Sequence, residues 1–438
     1  MSNLLAARSQ MAISLAFHII FAAVGIAMPL MMAAAEWRWL RTRDGVYLDL
    51  AKRCARGTAI LFAVGAVSGT VLSFELGLLW PRFMRWAGAI IGMPFSLEGF
   101  AFFTEAIFLG IYLYGWERVA PRAHLAAGVL VAISGAVSGV FVVMANSWMN
   151  TPSGFRLVDG RPVDIDPLSA MLNPGAAPQV LHMILAAYAA TGFAVAGIHA
   201  FFLLRDPNSR FHRYALTIAL AVGGVAALAQ PLSGDFAARM LVQHQPLKLA
   251  ALEGQFRTER GAPERIGGIP DVASLRTRYA IEIPRGLSLL AFGDPDAVIE
   301  GLEAFPRDQW PDPVITHLSF QAMVGAGAAM MAVALWGLVL VWRGRELPES
   351  KRFLGAVTAV SPLGFVAIEA GWVVTEVGRQ PWIIYGVMRT ADAVTPMPGM
   401  VVPFVIFSAL YAFLAATVVQ LLWYQMVQAV DSAEPDPR

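Results

Sequence analysis

Six side chains capable of chemistry sit in stretches that are otherwise almost wholly apolar: His18, Glu98, Glu105, His182, Met323 and Glu369. A charge placed in a membrane costs about 3 kcal/mol, so each ionisable group there must be paired, protonated or used. Glu98 and Glu105, in SLEGFAFFTEAIFLG, are seven residues apart. On a helix both face one way, about 10 Å apart along the axis. Such an acidic stripe can hand protons along; the bland alternative is two neutral acids bonded to neighbouring helices. The histidines and the methionine suggest other chemistry. Zinc wants several His or Cys ligands close together, and here the donors are sparse. The single cysteine, Cys54, excludes an internal disulfide and any Cys-based iron–sulfur or zinc site. A helix bundle that holds porphyrins needs only one or two axial donors per iron. One His with one Met gives a six-coordinate, electron-transferring haem. A single strong ligand leaves a face open for a small molecule.

The elements that must carry these groups are transmembrane helices. The chain has 438 residues, 57% hydrophobic and only 14% charged, where a soluble protein carries about a quarter charged. Nine stretches reach the roughly 20 apolar residues needed to span a bilayer: about 11–35, 57–80, 94–116, 125–148, 179–204, 215–233, 314–342, 353–375 and 400–427. The sequence thus predicts an all-α polytopic membrane bundle, a single membrane domain over 1–438, with 234–313 as a long outer loop. The apolar run near the N-terminus lacks a small-residue cleavage site, so it reads as a retained first helix. The connections at 36–56, 117–124, 205–214 and 343–352 hold fifteen Lys and Arg; the N-terminus and the connections at 81–93, 149–178 and 376–399 hold seven. By the positive-inside rule the N-terminus is periplasmic and the C-terminus cytoplasmic.

In that orientation His18, Glu98, His182, Met323 and Glu369, on five helices, gather in the outer half of the membrane, with Glu105 near the midplane. Gly- and Ala-rich runs such as AVGAVSGT, AISGAVSG and AVGGVAALA fit close helix approach, or room for a flat macrocycle. Glu75, in SFELG, is expected to have a buried partner. Trp80, Trp86, Trp116, Trp148, Trp382 and Trp423 fall at span ends, where interfacial anchoring is the default role. The formal net charge of +1 says nothing about partners, and no nucleic-acid partner is expected.

Several segments match a known family. RSQMAISLAFHIIF, SLEGFAFFTEAIFLG, GWERV, ANSWMNTP, LHMILAAYAATG, KLAALEGQF and AIEAGWVVTEVGRQPW resemble subunit I of the cytochrome bd-type quinol oxidases over nearly the whole chain. SFELGLLWP and FGDPDAVIEGLEAFP look like the cyanide-insensitive branch, and the outer loop is the short type. The resemblance implies a terminal oxidase of the bacterial inner membrane that oxidises quinol at the periplasmic side. It would reduce O2 to water with cytoplasmic protons and so generate proton-motive force. It implies two b-type haems and one d-type haem, or a third b-type haem, with ubiquinol or menaquinol as substrate. The implied partners are a subunit II and a small single-helix subunit.

Residue by residue, the resemblance makes His182 and Met323 the axial ligands of a low-spin b haem. It gives His18 to a haem of the oxygen-reducing pair, with Glu98 close to that iron, and Glu369 to the other, high-spin haem. Glu105 would carry protons inward; from its depth alone, Ser68, Thr70, Ser134 and Ser138 are candidate relays. Lys248 and Glu253 would bind and deprotonate quinol beside Asp235. Arg379, Gln380 and Trp382, in GRQPW, would support haem propionates and the nearby quinol region. Gln321 stands where some members have Arg. Intramembrane carboxylates alone would also fit a proton-coupled transporter, and His182 with Met323 alone a dihaem quinol dehydrogenase that does not reduce oxygen.

Overall fold

The computed structural model describes residues 1–431, without the side chains of Trp423 and 425–431. The interfacial reading of Trp423 therefore lies outside the described residues. Among the described residues, nine helical stretches are long and apolar enough to cross a membrane. They are α1 (Asn3–Thr42), α2 (Gly45–Leu79), α3 (Pro81–Tyr114), α4 (Pro121–Asn150), α6 (Ala176–Arg205), α7 (Arg210–His244), α10 (Pro313–Trp342), the pair α11 (Lys351–Val360) and α12 (Leu363–Val377), and α14 (Val401–Asp431). Short helices α5 (Pro167–Met171), α8 (Pro246–Leu252), α9 (Gly286–Phe292) and α13 (Thr390–Ala393) lie in the connections.

Local chemistry sets the helix ends. Asp44, Ser209, Asp312 and Ser350 each accept a backbone N–H of the first turn that has no intrahelical partner. Proline opens α3, α4, α8 and α10, where its missing N–H is no loss. The stretch expected as one span over 353–375 is two helices, interrupted at Ser361 and Pro362. Proline offers no N–H to the helical ladder and crowds the preceding turn. The span expected to end at 233 continues as helix to His244, carried by GDFAARMLVQH with its Arg239–Asp235 pair at 2.9 Å.

The chain forms two compact units. One comprises residues 1–84, 105–132 and the chain from 394 onward. In it α1 packs along α2, and α14 packs on both. The other comprises 85–104 and 133–393. There α6 packs along α7, α10 along α12, and α11 and α12 against α6. The same unit holds the polar segment between α8 and α10. Its antiparallel strand pairs join Glu259–Arg260 to Val298–Ile299, Glu264–Ile266 to Ile281–Ile283, and Ile269–Asp271 to Arg276–Arg278.

The α6–α7 contact is backbone on backbone. A Cβ on Gly192 would fall 2.5 Å from the Gly223 Cα and 2.9 Å from the Ala219 carbonyl oxygen. Small residues permit this approach and the dispersion contacts that hold membrane helices together. Ala187, Ala190, Phe193, Leu216 and Ala219 are buried beside it. Gly192→Ala should separate the helices and destabilise the protein by about 1–3 kcal/mol, read as a lower Tm of the purified protein. An unchanged Tm would mean that α6 and α7 are not in backbone contact.

Candidate functional site

The two candidate histidine ligands are held in the same way. His18, on α1, has Nδ1 2.9 Å from the Ser68 hydroxyl on α2. Ser68 in turn donates to the backbone carbonyls of Val64 and Gly65, at 3.0 and 3.1 Å. With its own proton so committed, Ser68 accepts, and His18 Nδ1 carries the hydrogen. His182, on α6, has Nδ1 3.1 Å from the Ser233 hydroxyl on α7, and Ser233 donates to the Gln230 carbonyl at 2.8 Å. Both imidazoles thus keep a lone pair on Nε2, and a ring oriented through its other nitrogen is the usual setting of a metal-bound histidine. Gln230 Nε2 approaches His182 Nε2 at 3.2 Å. Glycines face both rings: a Cβ on Gly69 would meet His18 Cε1 at 3.0 Å, and one on Gly234 would lie 3.8 Å from His182 Cε1.

Met323, on α10, meets α12 where a Cβ on Gly371 would lie 2.8 Å from its sulfur. Glu369, two residues earlier on α12, is half-buried and has a carboxyl oxygen without a partner. Glu98 accepts from the Ser138 hydroxyl at 3.2 Å, and Glu105 is buried. Ser68 and Ser138, expected as relays for Glu105, are thus engaged with His18 and Glu98. Thr70 turns back to the Ala66 carbonyl of its own helix, at 2.9 Å.

A buried charge cluster lies where α8, α4 and α12 meet. Lys248 donates to the Asn150 side-chain oxygen at 2.6 Å and the Thr375 carbonyl at 3.1 Å. Glu376 accepts from Asn146 at 2.7 Å and from Arg379. The Arg379 Nε and Nη1 are buried without partners. Burial, with the Arg379 cation beside it, brings the Lys248 amine down to about 7; Glu376 opposes the shift. Two cations against one carboxylate, with orphaned guanidinium N–H groups, make a ready seat for an anionic group.

Glu253 closes α8, and Gly254 follows at φ +61°, a turn glycine makes freely. The bend sends Glu253 away from Lys248 toward the polar segment. Its carboxyl has one buried oxygen without a partner. Burial and then Glu264 push its pKa well above the usual range, against Arg265. Arg265 bonds Gln255 and pairs with Glu282 at 3.0 Å. Two residues of α10 tie this segment down. His317 reaches the carbonyls of Leu252 and Gly267 at 2.7 and 3.0 Å. Gln321 accepts from the Gly267 N–H at 2.9 Å and donates to the Arg265 carbonyl at 3.0 Å.

Arg379 therefore joins Lys248, but Gln380 and Trp382 turn to the hairpin that follows: Gln380 accepts from Thr390 at 3.0 Å, and Arg389 lies over the Trp382 ring. Asp235 is in an exposed pair on α7. The sequence reading passed over Glu376, Asn146 and Asn150. The signal was present in GRQPW, which follows Glu376, and in the ANSWMN spacing that puts the two asparagines one turn apart. Among the described residues no group of three or more His, Cys, Asp or Glu converges as a bare-metal site. Single, oriented donors on separate helices are a set that an iron porphyrin fits.

The chain matches the family model for cytochrome bd terminal oxidase subunit I over residues 6–430. It is 39% identical, over 97% of its length and 96% of the relative's, to a Bacillus subtilis (strain 168) protein with the provisional name cytochrome bd menaquinol oxidase subunit I. It is 34% identical to the cytochrome bd ubiquinol oxidase subunit 1 of that organism, over 96% and 93%. The structure of the bd oxidase from Geobacillus thermodenitrificans superposes with a TM-score of 0.91 at 39% identity, covering 97% of this chain and 98% of that one. The chain belongs to the cytochrome bd terminal oxidase subunit I family. It is a multi-pass inner-membrane subunit of a quinol:oxygen oxidoreductase that contains haem and generates proton-motive force. Membership sets aside both the transporter and the non-oxidase dehydrogenase.

Lys248→Met keeps the side-chain volume and removes the amine. The folded amine titrates near 7 and the unfolded one near 10.5, so between those values the unfolded chain binds more protons and stability rises with pH. Across that window the wild-type Tm should rise relative to Lys248→Met. Parallel curves would mean that the buried amine titrates normally.

Proposed function

We propose that His182 and Met323 hold a low-spin b haem that takes electrons from quinol, and that His18 holds a haem of the oxygen-reducing pair with Glu98 in support. The observation that carries this reading is the matched pair of imidazoles, each with Nδ1 fixed by a serine hydroxyl and a lone pair on Nε2, which at His182 accepts from the Gln230 amide, a side chain that would turn aside for iron. The third haem takes its carboxylate from α12. Glu369 has a free buried oxygen there. Glu376, two turns further along the helix, is the second candidate, favoured by its contacts to Asn146 and Arg379. Two haems are b-type and the third is d- or b-type. When bound, these haems supply one-electron transfer and an open coordination position for O2.

The chain's own residues handle binding and protons. Arg379 offers its two unpartnered N–H groups to a propionate, with Gln380 and Trp382 bracing the turn after it. Lys248 holds a quinol oxygen. Glu253, buried with a raised pKa, takes the quinol proton as a general base and releases it to the outer surface through the 234–313 segment. Glu105 receives cytoplasmic protons for water formation. The positive-inside charge count supports this sidedness, with the N-terminus periplasmic and the C-terminus cytoplasmic. Proton release on one side and uptake on the other then charges the membrane without a pump. The native quinol is ubiquinol or menaquinol, as in the names of the two relatives. The exposed apolar helix faces, with Phe74, Phe100 and Leu232 among the most exposed, suit lipid, a subunit II and a small single-helix subunit.

His182→Ala or Met323→Leu should abolish the low-spin absorption bands while high-spin bands partly survive. Unchanged low-spin bands would remove both residues from the iron. In parallel, Glu369→Gln should lose one high-spin haem and Glu376→Gln keep it; the reverse result gives that iron to Glu376.

A further inference from the structure

Glu75 is a buried acid that the reading above does not use. It lies on α2, 1% exposed, and its Oε1 accepts from Gln10 Nε2 and from the Ser14 hydroxyl on α1, both at 2.9 Å. Three polar atoms around it are buried without partners: Glu75 Oε2, Gln10 Oε1 and the Tyr411 hydroxyl. Tyr411, on α14, sits against Ser14 and Glu75, and its ring packs on Phe17 of α1 at 4.8 Å. Gln10, Ser14 and Tyr411 are the polar groups that face the carboxyl from the two helices packed on α2.

The three unpartnered atoms fall into place in two alternative ways. With a proton on Oε2, the acid donates to Gln10 Oε1 while Gln10 Nε2 donates to Oε1. This closes a two-bond acid–amide pair. With the proton gone, the Tyr411 hydroxyl turns to donate to Oε2, and Ser14 and Gln10 continue to hold Oε1. Each state satisfies the carboxyl, which is what a group that gains and loses a proton inside an apolar bundle requires. A permanently neutral acid needs no third donor at Oε2.

The same two helices carry His18. Ser14 is four residues before it, about 6 Å along α1, and Ser68, its hydrogen-bond partner, is seven residues before Glu75, about 10 Å along α2. We infer that Glu75, with Gln10, Ser14 and Tyr411, is a binding site for one exchangeable proton that serves the His18 haem, separate from Glu105. The proton passes from Oε2 to water at the membrane surface as the haem region gains positive charge and returns from water as that charge is lost; the acid O–H bond is the one broken and a hydronium O–H bond the one formed. The identity of the haem served rests on the His18 reading.

The test is the redox-induced infrared difference spectrum of the purified oxidase. In wild type it should contain a protonated-carboxyl band that Glu75→Gln abolishes and Glu105→Gln retains. Glu75→Gln can keep an amide–amide pair with Gln10 and so should retain normal haem content. Tyr411→Phe leaves the acid–amide pair intact but removes the donor for the anion. Its band should vanish from the difference spectrum because the proton no longer leaves, and the oxygen reaction should slow several-fold. A carboxyl band indifferent to both substitutions would overturn the proposal. If the band behaves as expected but His18→Ala keeps every haem band, the proton site stands and the His18 assignment falls.

Discussion

The structure depends on one constraint: inside an apolar bundle a polar group has no water to turn to, so its partners must be supplied by the chain. The two candidate histidine ligands show how this is met. Nδ1 of each ring is bonded to a serine, and each serine has already given its hydrogen to a backbone carbonyl of its own helix. The imidazole is thereby fixed in orientation and tautomer before any iron arrives. Such preorganisation makes a single nitrogen donor effective.

The constraint also separates the molecule's polar work. The Lys248, Arg379 and Glu376 cluster is excess positive charge held in place by neutral amides and carbonyls. Glu253, beyond the Gly254 bend, is drawn instead into the polar segment around Arg265. His317 and Gln321 lock that segment to the helix that carries Met323. Where some members of the resembled family place an arginine, Gln321 serves here as a clamp. The proposed quinol end and the proposed low-spin haem end are thus joined by two side chains of one helix.

The nine spans were legible because length and apolarity decide them. The candidate ligand residues stood out because an ionisable group in such a run is conspicuous. Helix overhang was not legible: α7 continues through GDFAARMLVQH beyond its apolar stretch, where an ion pair and helix propensity, rather than hydropathy, sustain it. The break at Ser361 and Pro362 was visible as a proline but hidden by the apolar residues around it. Glu376 was missed because its carboxylate adjoins an arginine and reads as an ordinary helix-end pair. Only the fold shows it half-buried and bonded to Asn146, beside the buried Lys248. The partners of Glu75 are likewise tertiary: Gln10, Ser14 and Tyr411 lie on helices far apart in sequence, and no local pattern announces them.

Iron porphyrins held by these dispersed donors are the central proposal, and the visible absorption spectrum of the intact purified oxidase tests it most directly. The reduced protein should show a Soret band with low-spin and high-spin components, of which only the high-spin part shifts when carbon monoxide is added. A fully folded sample without a Soret band, or with low-spin bands alone and no response to carbon monoxide, would contradict it.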